Sequence, residues 1–118
     1  MIKFYGYNKC STCRNAKKWL KKNQIPFTEI DITTNPPSQS ALQKIIKQSN
    51  LELKNFLNQS GIQYRELNMK EKVKTLSQKE IIQMMANEGR LIKRPIVTDG
   101  QKISVGFKEE DFKNIWLD

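Results

Sequence analysis

The order of patterns in the first 32 residues constrains this chain most. Residues 2 to 6, within "MIKFYGY", alternate apolar and mixed side chains and predict a strand, broken by Gly6 and Asn8. Cys13, Ala16, Trp19 and Leu20 then fall at helical spacing, with Arg14, Lys17, Lys18, Lys21 and Lys22 on the other faces. Ser11, or Cys10 itself, is placed to cap that helix, which ends near Asn23. Pro26 opens "PFTEIDI", a second strand expected to carry Ile30 and Ile32 on one face. Strand, helix, strand makes a βαβ unit, for which a right-handed crossover is the strong default.

The middle of the chain has another character. "NPPS" at 35–38 is a turn, and Ser38 or Ser40 can cap a helix bearing Leu42, Ile45 and Ile46. Leu53, Phe56 and Leu57 repeat the i, i+3, i+4 pattern, which Ser60-Gly61 is expected to stop. Ser77 and Glu80 form a capping box ahead of Ile81, Ile82, Met84 and Met85, and Gly89 is placed as the C-terminal stop. Residues 35–89 therefore read as a helical insertion without strands. Strands return at "RPIVTDGQKISVGF", where Asp99-Gly100 predicts a type I′ hairpin between Ile96-Val97 and Ile103–Val105. A last helix carries Phe112, Ile115 and Trp116. With no repeat, low-complexity tract or linker, residues 1–118 read as one domain of the α/β class.

Only two cysteines are present, spaced Cys10-Ser-Thr-Cys13, and there is no histidine. Two sulfurs alone cannot complete a four-ligand zinc site, so no metal is expected. The first residues are too short and mixed for a signal peptide, and no apolar run approaches a membrane span. The expected location is cytoplasmic, where stable disulfides are rare and a structural bridge is disfavoured. The net charge of +9 suits an anionic partner or a solvated basic surface. Its lysines are too scattered for a nucleic-acid arm, and no direct nucleic-acid binding is expected.

Thiol chemistry runs through the thiolate, so a reactive cysteine needs a lowered pKa. Cys10 follows a strand and opens a helix, where free N–H groups and the helix dipole favour an anion by about 0.3–1 kcal/mol when exposed. Lys9 and Arg14 flank the motif, and no acid lies between Met1 and Glu29. Cys13, one turn on and on the apolar stripe, is the more buried and less acidic sulfur. Cys10 is therefore assigned as the attacking thiolate and Cys13 as the resolving thiol. Arg94-Pro95 adds a second signal, because proline entering a strand points to an edge, a turn or a cis bond. The guanidinium of Arg94 is expected near the Cys10 sulfur. Together these features resemble the thioredoxin-like architecture, a mixed sheet of about four strands flanked by helices, in which a cis-proline faces the reactive cysteine.

"YNKCSTCRNAKKWL", "NPPS" and "LIKRPIVTDG" together resemble the arsenate reductase/Spx family along essentially the whole chain. The resemblance implies a thioredoxin-like fold with a helical insertion at about 35–89. For the reductases it implies Cys10 as the nucleophile toward arsenate, followed by Arg14 and Asn15, with glutathione and glutaredoxin or thioredoxin as reductants and no bound cofactor. Asn58 and Gly106 align with two arginines of the reductases' oxyanion pocket, and Arg94 matches the third. For the Spx-like regulators it implies a CxxC switch and contact with the RNA polymerase α subunit. Glu52 aligns there with a glycine of the polymerase-contacting segment. The readings it leaves open are a thiol-redox enzyme acting on a thiol reductant or disulfide protein, and a redox-switched regulator.

Overall fold

The computed structural model describes residues 1–117. They form two compact units, one made of residues 1–31 with the chain from Arg94 onward, the other of Ile32–Lys93. The first unit is α/β, a four-stranded mixed sheet with helices, as its pattern predicts. The predicted 35–89 helical stretch lies in the second.

In the first unit, β1 (Lys3–Gly6) pairs in parallel with β2 (Thr28–Asp31) after α1 (Ser11–Lys22). β3 (Ile96–Thr98) pairs antiparallel with β1, and β4 (Ile103–Val105) with β3, giving the order β2-β1-β3-β4. The pleat and the helix period set the core. Phe4 and Val97 project from the sheet to meet Cys13, Ala16, Trp19 and Leu20 of α1. Phe112 and Trp116 of α6 (Glu109–Trp116) complete the cluster. Edge-on aromatic contacts tie it together, with Trp19–Phe112 centroids 5.4 Å apart and Phe107–Phe112 centroids 4.7 Å apart. The one buried indole N–H in this cluster's α6 donates to Ser104 Oγ at 3.1 Å, so Trp116 is buried without an orphaned donor.

Two local readings change here. Ile32 lies one residue past β2 and belongs to the second unit, so it does not share a strand face with Ile30. The hairpin turns at Gly100-Gln101, not Asp99-Gly100, because the Asp99 N–H closes on Lys102 O at 3.3 Å. Only Gly100 has positive φ (96°), whereas type I′ needs two left-handed corners. The Asp99 carboxylate accepts the Gln101 and Lys102 N–H groups at 2.9 and 2.7 Å, which draws the aspartate out of the corner.

The second unit contains α2 (Gln39–Ser49), α3 (Ile62–Glu66), α4 (Met69–Thr75) and α5 (Gln78–Asn87). Ser38 caps α2, and Ser77 with Glu80 forms the predicted capping box of α5. Leu53–Phe56 is a short 3-10 turn instead of an α-helix. Its backbone is claimed by the Ile92 strand edge: Lys93 N–H donates to Phe56 O and Asn58 N–H to Leu91 O, each at 2.8 Å. Gly61 opens α3 instead of ending a helix, and α3 and α4 carry no clear sequence signal. Gly89 follows the Glu88 C-cap of α5, where a stop is expected, but its backbone is not left-handed. Its role is close approach: a Cβ there would collide with the Ile32 carbonyl oxygen.

Candidate functional site

The site begins where β1 ends. Gly6 and the turn at Tyr7–Lys9 reverse the chain, and the Cys10 N–H closes the turn on Tyr7 O at 3.1 Å. Cys10 is then the N-cap of α1. Its backbone is extended (φ −96°, ψ 117°), and its Sγ accepts the Cys13 N–H at 3.3 Å. A sulfur thus fills the position usually held by a Ser, Thr, Asp or Asn oxygen. No acidic residue stands in the first turn of α1, so the positive end of the helix has no fixed counter-charge except this sulfur.

The two sulfurs differ sharply. Cys10 is half-buried and Cys13 is fully buried, and both are free thiols. Burial pushes Cys10 up, but hydrogen bonds from the Cys13 side chain and N–H, together with the charge and hydrogen bond of Arg94, bring its pKa below the ordinary thiol value. Cys13 is pushed up to about 12, first by burial, then by its hydrogen bond to Cys10 and the nearby Cys10 charge. Cys10 is therefore the more acidic sulfur of the pair and Cys13, one helical turn on, the one that keeps its proton.

Four of the residues anticipated from sequence converge here. Cys10, Cys13 and Arg94 interact directly, and Pro95 follows Arg94 through a cis peptide bond at the buried entry to β3. Lys9 is exposed in the turn and is not among the main influences on the Cys10 sulfur. Arg14 Nη1 donates to Asn8 O at 3.1 Å, bracing the turn ahead of Cys10. Asn58 lies in the second unit, after the 3-10 turn. Gly106 follows β4 with φ of 76°, and its N–H donates to Pro95 O at 2.9 Å.

Sequence reasoning missed Tyr7. Its ring lies under the Arg94 guanidinium, 5.2 Å from centroid to Cζ, and its backbone hydrogen-bonds to the Cys13 sulfur. An aromatic at a strand end reads as core by periodicity. Its distance in sequence from Arg94 hides the contact. Among the described residues no three His, Cys, Asp or Glu side chains gather to hold a metal ion.

The arrangement has clear relatives. The protein YusI of Bacillus subtilis (strain 168) is 49% identical over 115 residues, covering 98% of each chain. A crystal structure described as a possible arsenate reductase from Streptococcus mutans UA159 is 42% identical, with a TM-score of 0.88 over 96% of this chain and 98% of that one. The global transcriptional regulator Spx of Streptococcus pneumoniae is 28% identical over 96% of this chain and 84% of its own length. The ArsC family pattern matches residues 5–115, nearly the whole chain. With its closely spaced cysteine pair on a thioredoxin-like sheet, this chain belongs to the ArsC family.

Proposed function

We propose that this chain is a thiol–disulfide exchange protein in which Cys10 attacks and Cys13 resolves. The observation that carries the reading is the Cys10 sulfur capping α1, with the Cys13 N–H on it at 3.3 Å and no acid in the first turn. In the first step the Cys10 thiolate attacks one sulfur of a partner disulfide. The partner S–S bond breaks, its distal sulfur leaves as a thiolate, and a mixed disulfide to Cys10 remains. That step also prepares the second. Once Cys10 is in a disulfide it carries no charge and is a poor acceptor, so two of the influences that hold Cys13 protonated disappear. The Arg94 charge and the Tyr7 backbone hydrogen bond, which both favour a Cys13 thiolate, remain. Cys13 then loses its proton to solvent and attacks Cys10 Sγ. The partner is released as a dithiol, and a Cys10–Cys13 disulfide forms.

Glutathione, thioredoxin or glutaredoxin would return that disulfide to two thiols, with no bound cofactor. A reducing cytoplasm suits this cycle, and no helix among the described residues is long and apolar enough to cross a membrane. Arsenate reduction fits less well. Gly106 has a left-handed backbone, which an arginine would adopt only with strain. Near-background arsenate turnover with glutathione and glutaredoxin is expected. Mild oxidant should cost two alkylatable thiols per chain, restored by dithiothreitol, and Cys10→Ser should abolish this with the fold intact. Oxidation that yields only intermolecular dimers would contradict the reading.

The likeness to Spx across 96% of the chain favours a second reading, a regulator that contacts the RNA polymerase α subunit and is switched by the same thiols. Glu52, exposed on the second unit and 3.6 Å from Lys54 Nζ, stands where the polymerase-contacting segment of those regulators has glycine. Capture of purified α subunit, lost on oxidation, would support this second reading. No capture in either redox state would remove it.

A further inference from the structure

Most of the net charge of this chain sits in the N-terminal segment that carries the thiol. Seven lysines and arginines and no acid precede Glu29, so the remaining 90 residues contribute only +2 of the +9. Within α1, Arg14, Lys18, Lys21 and Lys22 are all exposed, while Cys13, Ala16, Trp19 and Leu20 are buried. At about 100° per residue, those four cations fall within an arc of roughly 100° on the outer face. Lys17 is turned instead to Glu29, Nζ to Oε1 at 2.9 Å. Lys18, Lys21 and Lys22 make no ion pair among the described residues. The result is a cationic stripe about 12 Å long, running from Arg14 near the Cys10 end of α1 to Lys22 at its last turn.

We propose that this stripe is a docking face for an acidic protein whose disulfide or thiol exchanges with Cys10. The inference rests on the thiol-exchange reading and adds the partner's chemistry to it. A tripeptide-sized thiol could meet the cations nearest Cys10 but not a stripe of this length, so glutathione gains little from Lys21 and Lys22. A protein with carboxylates beside its reactive sulfur can span it. Opposite charge over such a face raises encounter rates by about 10- to 1,000-fold at low salt. It is screened as the Debye length shrinks to about 10 Å at 0.1 M and 3 Å at 1 M. A nucleic acid would also be attracted, but it offers no sulfur to the residue that opens the stripe.

The test uses the full reduced chain and three probes activated as 2-pyridyl disulfides: a helical peptide with glutamates at i, i+4 and i+7, its glutamine counterpart, and uncharged 2-mercaptoethanol. In each reaction Cys10 displaces 2-thiopyridone to form the mixed disulfide. Cys13 then displaces the probe thiol, so two thiols reduce one disulfide. The acidic peptide should react about tenfold or more faster than the glutamine peptide at 20 mM NaCl, and the advantage should collapse by about 500 mM. The helix-compatible variant Lys18→Gln/Lys21→Gln/Lys22→Gln should lose most of that preference, with 2-mercaptoethanol probe rates and circular dichroism unchanged. Equal rates for the two peptides, or a preference that survives the triple variant, would overturn the proposal. A duplex DNA oligomer that binds at 150 mM NaCl through the same lysines, more tightly than the acidic peptide, would also overturn it. The uncharged probe reports the thiol chemistry alone, so failure there would count against the exchange reading and not specifically against the stripe.

Discussion

α1 and α5 begin with the same geometry and put it to different use. In both, a side chain at the N-cap accepts the backbone N–H three residues on: Cys10 Sγ from Cys13 at 3.3 Å, Ser77 Oγ from Glu80 at 3.2 Å. At α5 the third residue is an acid, and Glu80 Oε1 accepts the Ser77 N–H at 3.1 Å. The positive end of that helix has its fixed counter-charge, and its cap is purely structural. At α1 the third residue is a buried cysteine and the first turn has no acid. The counter-charge is left to the capping sulfur, and Arg94 adds to the demand for it. One local motif therefore gives stability in one place and nucleophilicity in the other, depending on what fills the third position.

The sharpest way to break this comparison is to measure the two sulfurs separately. With Cys13→Ser and Cys10→Ser as single-thiol reporters, iodoacetamide at pH 7 should modify Cys10 more than about 100-fold faster than Cys13, because Cys13 is buried and its pKa stands at about 12. Comparable rates would mean that the N-cap confers nothing.

Removing Arg94 is the next largest change. On the Cys13→Ser background, Arg94→Ala removes a cation and a donor from the sulfur, so the neutral thiol gains and the pH–rate curve moves to higher pH. Alkylation at pH 7 should slow by about tenfold, within the range of a lost charge-assisted hydrogen bond. Arg94→Lys should restore part of the rate, and circular dichroism should not change. Superimposable pH–rate curves would remove Arg94 from the site.

Exchanging the caps sharpens the contrast. Ser77→Ala should destabilise the chain by about 1 kcal/mol in urea unfolding. Cys10→Ser should cost less than that, because serine is itself a good cap, yet it should remove all thiol exchange. A Cys10→Ser loss of stability larger than that of Ser77→Ala would show that the sulfur is mainly structural. The smallest effect is expected at Tyr7. Tyr7→Leu should slow Cys10 alkylation by about two- to threefold through a less well-held Arg94, and Tyr7→Phe should restore it, as the ring face is retained. On an Arg94→Ala background Tyr7→Leu should do nothing further.

The first unit was legible from its own periodicities. The stripe from Cys13 to Leu20 and the alternation around Phe4 name the residues that meet in its core. The same pattern puts the helix start at Cys10 or Ser11, and the folded backbone makes Cys10 the N-cap. What stayed hidden depends on distant backbone or on single dihedral choices. Asn50 and Asn68, both with positive φ, punctuate the second unit without the glycine that would announce them. Phe56 and Leu57 keep a helical spacing that the Ile92–Lys93 backbone overrides. Gly89 looked like a helix stop, and its reason is a carbonyl 57 residues earlier, at Ile32. Tyr7 under Arg94 is likewise a contact that only the folded sheet creates.

The central claim is that Cys10 attacks and Cys13 resolves, and trapping the intermediate tests it most directly. The reduced Cys13→Ser chain, mixed with a small disulfide, should accumulate a stable adduct on Cys10, identified by mass spectrometry of the tryptic peptide. The wild-type chain should show that adduct only transiently and end with a Cys10–Cys13 disulfide. Cys10→Ser should form no adduct on the same timescale. An adduct that forms first on Cys13, or one that persists equally in the wild-type and Cys13→Ser chains, would contradict the account.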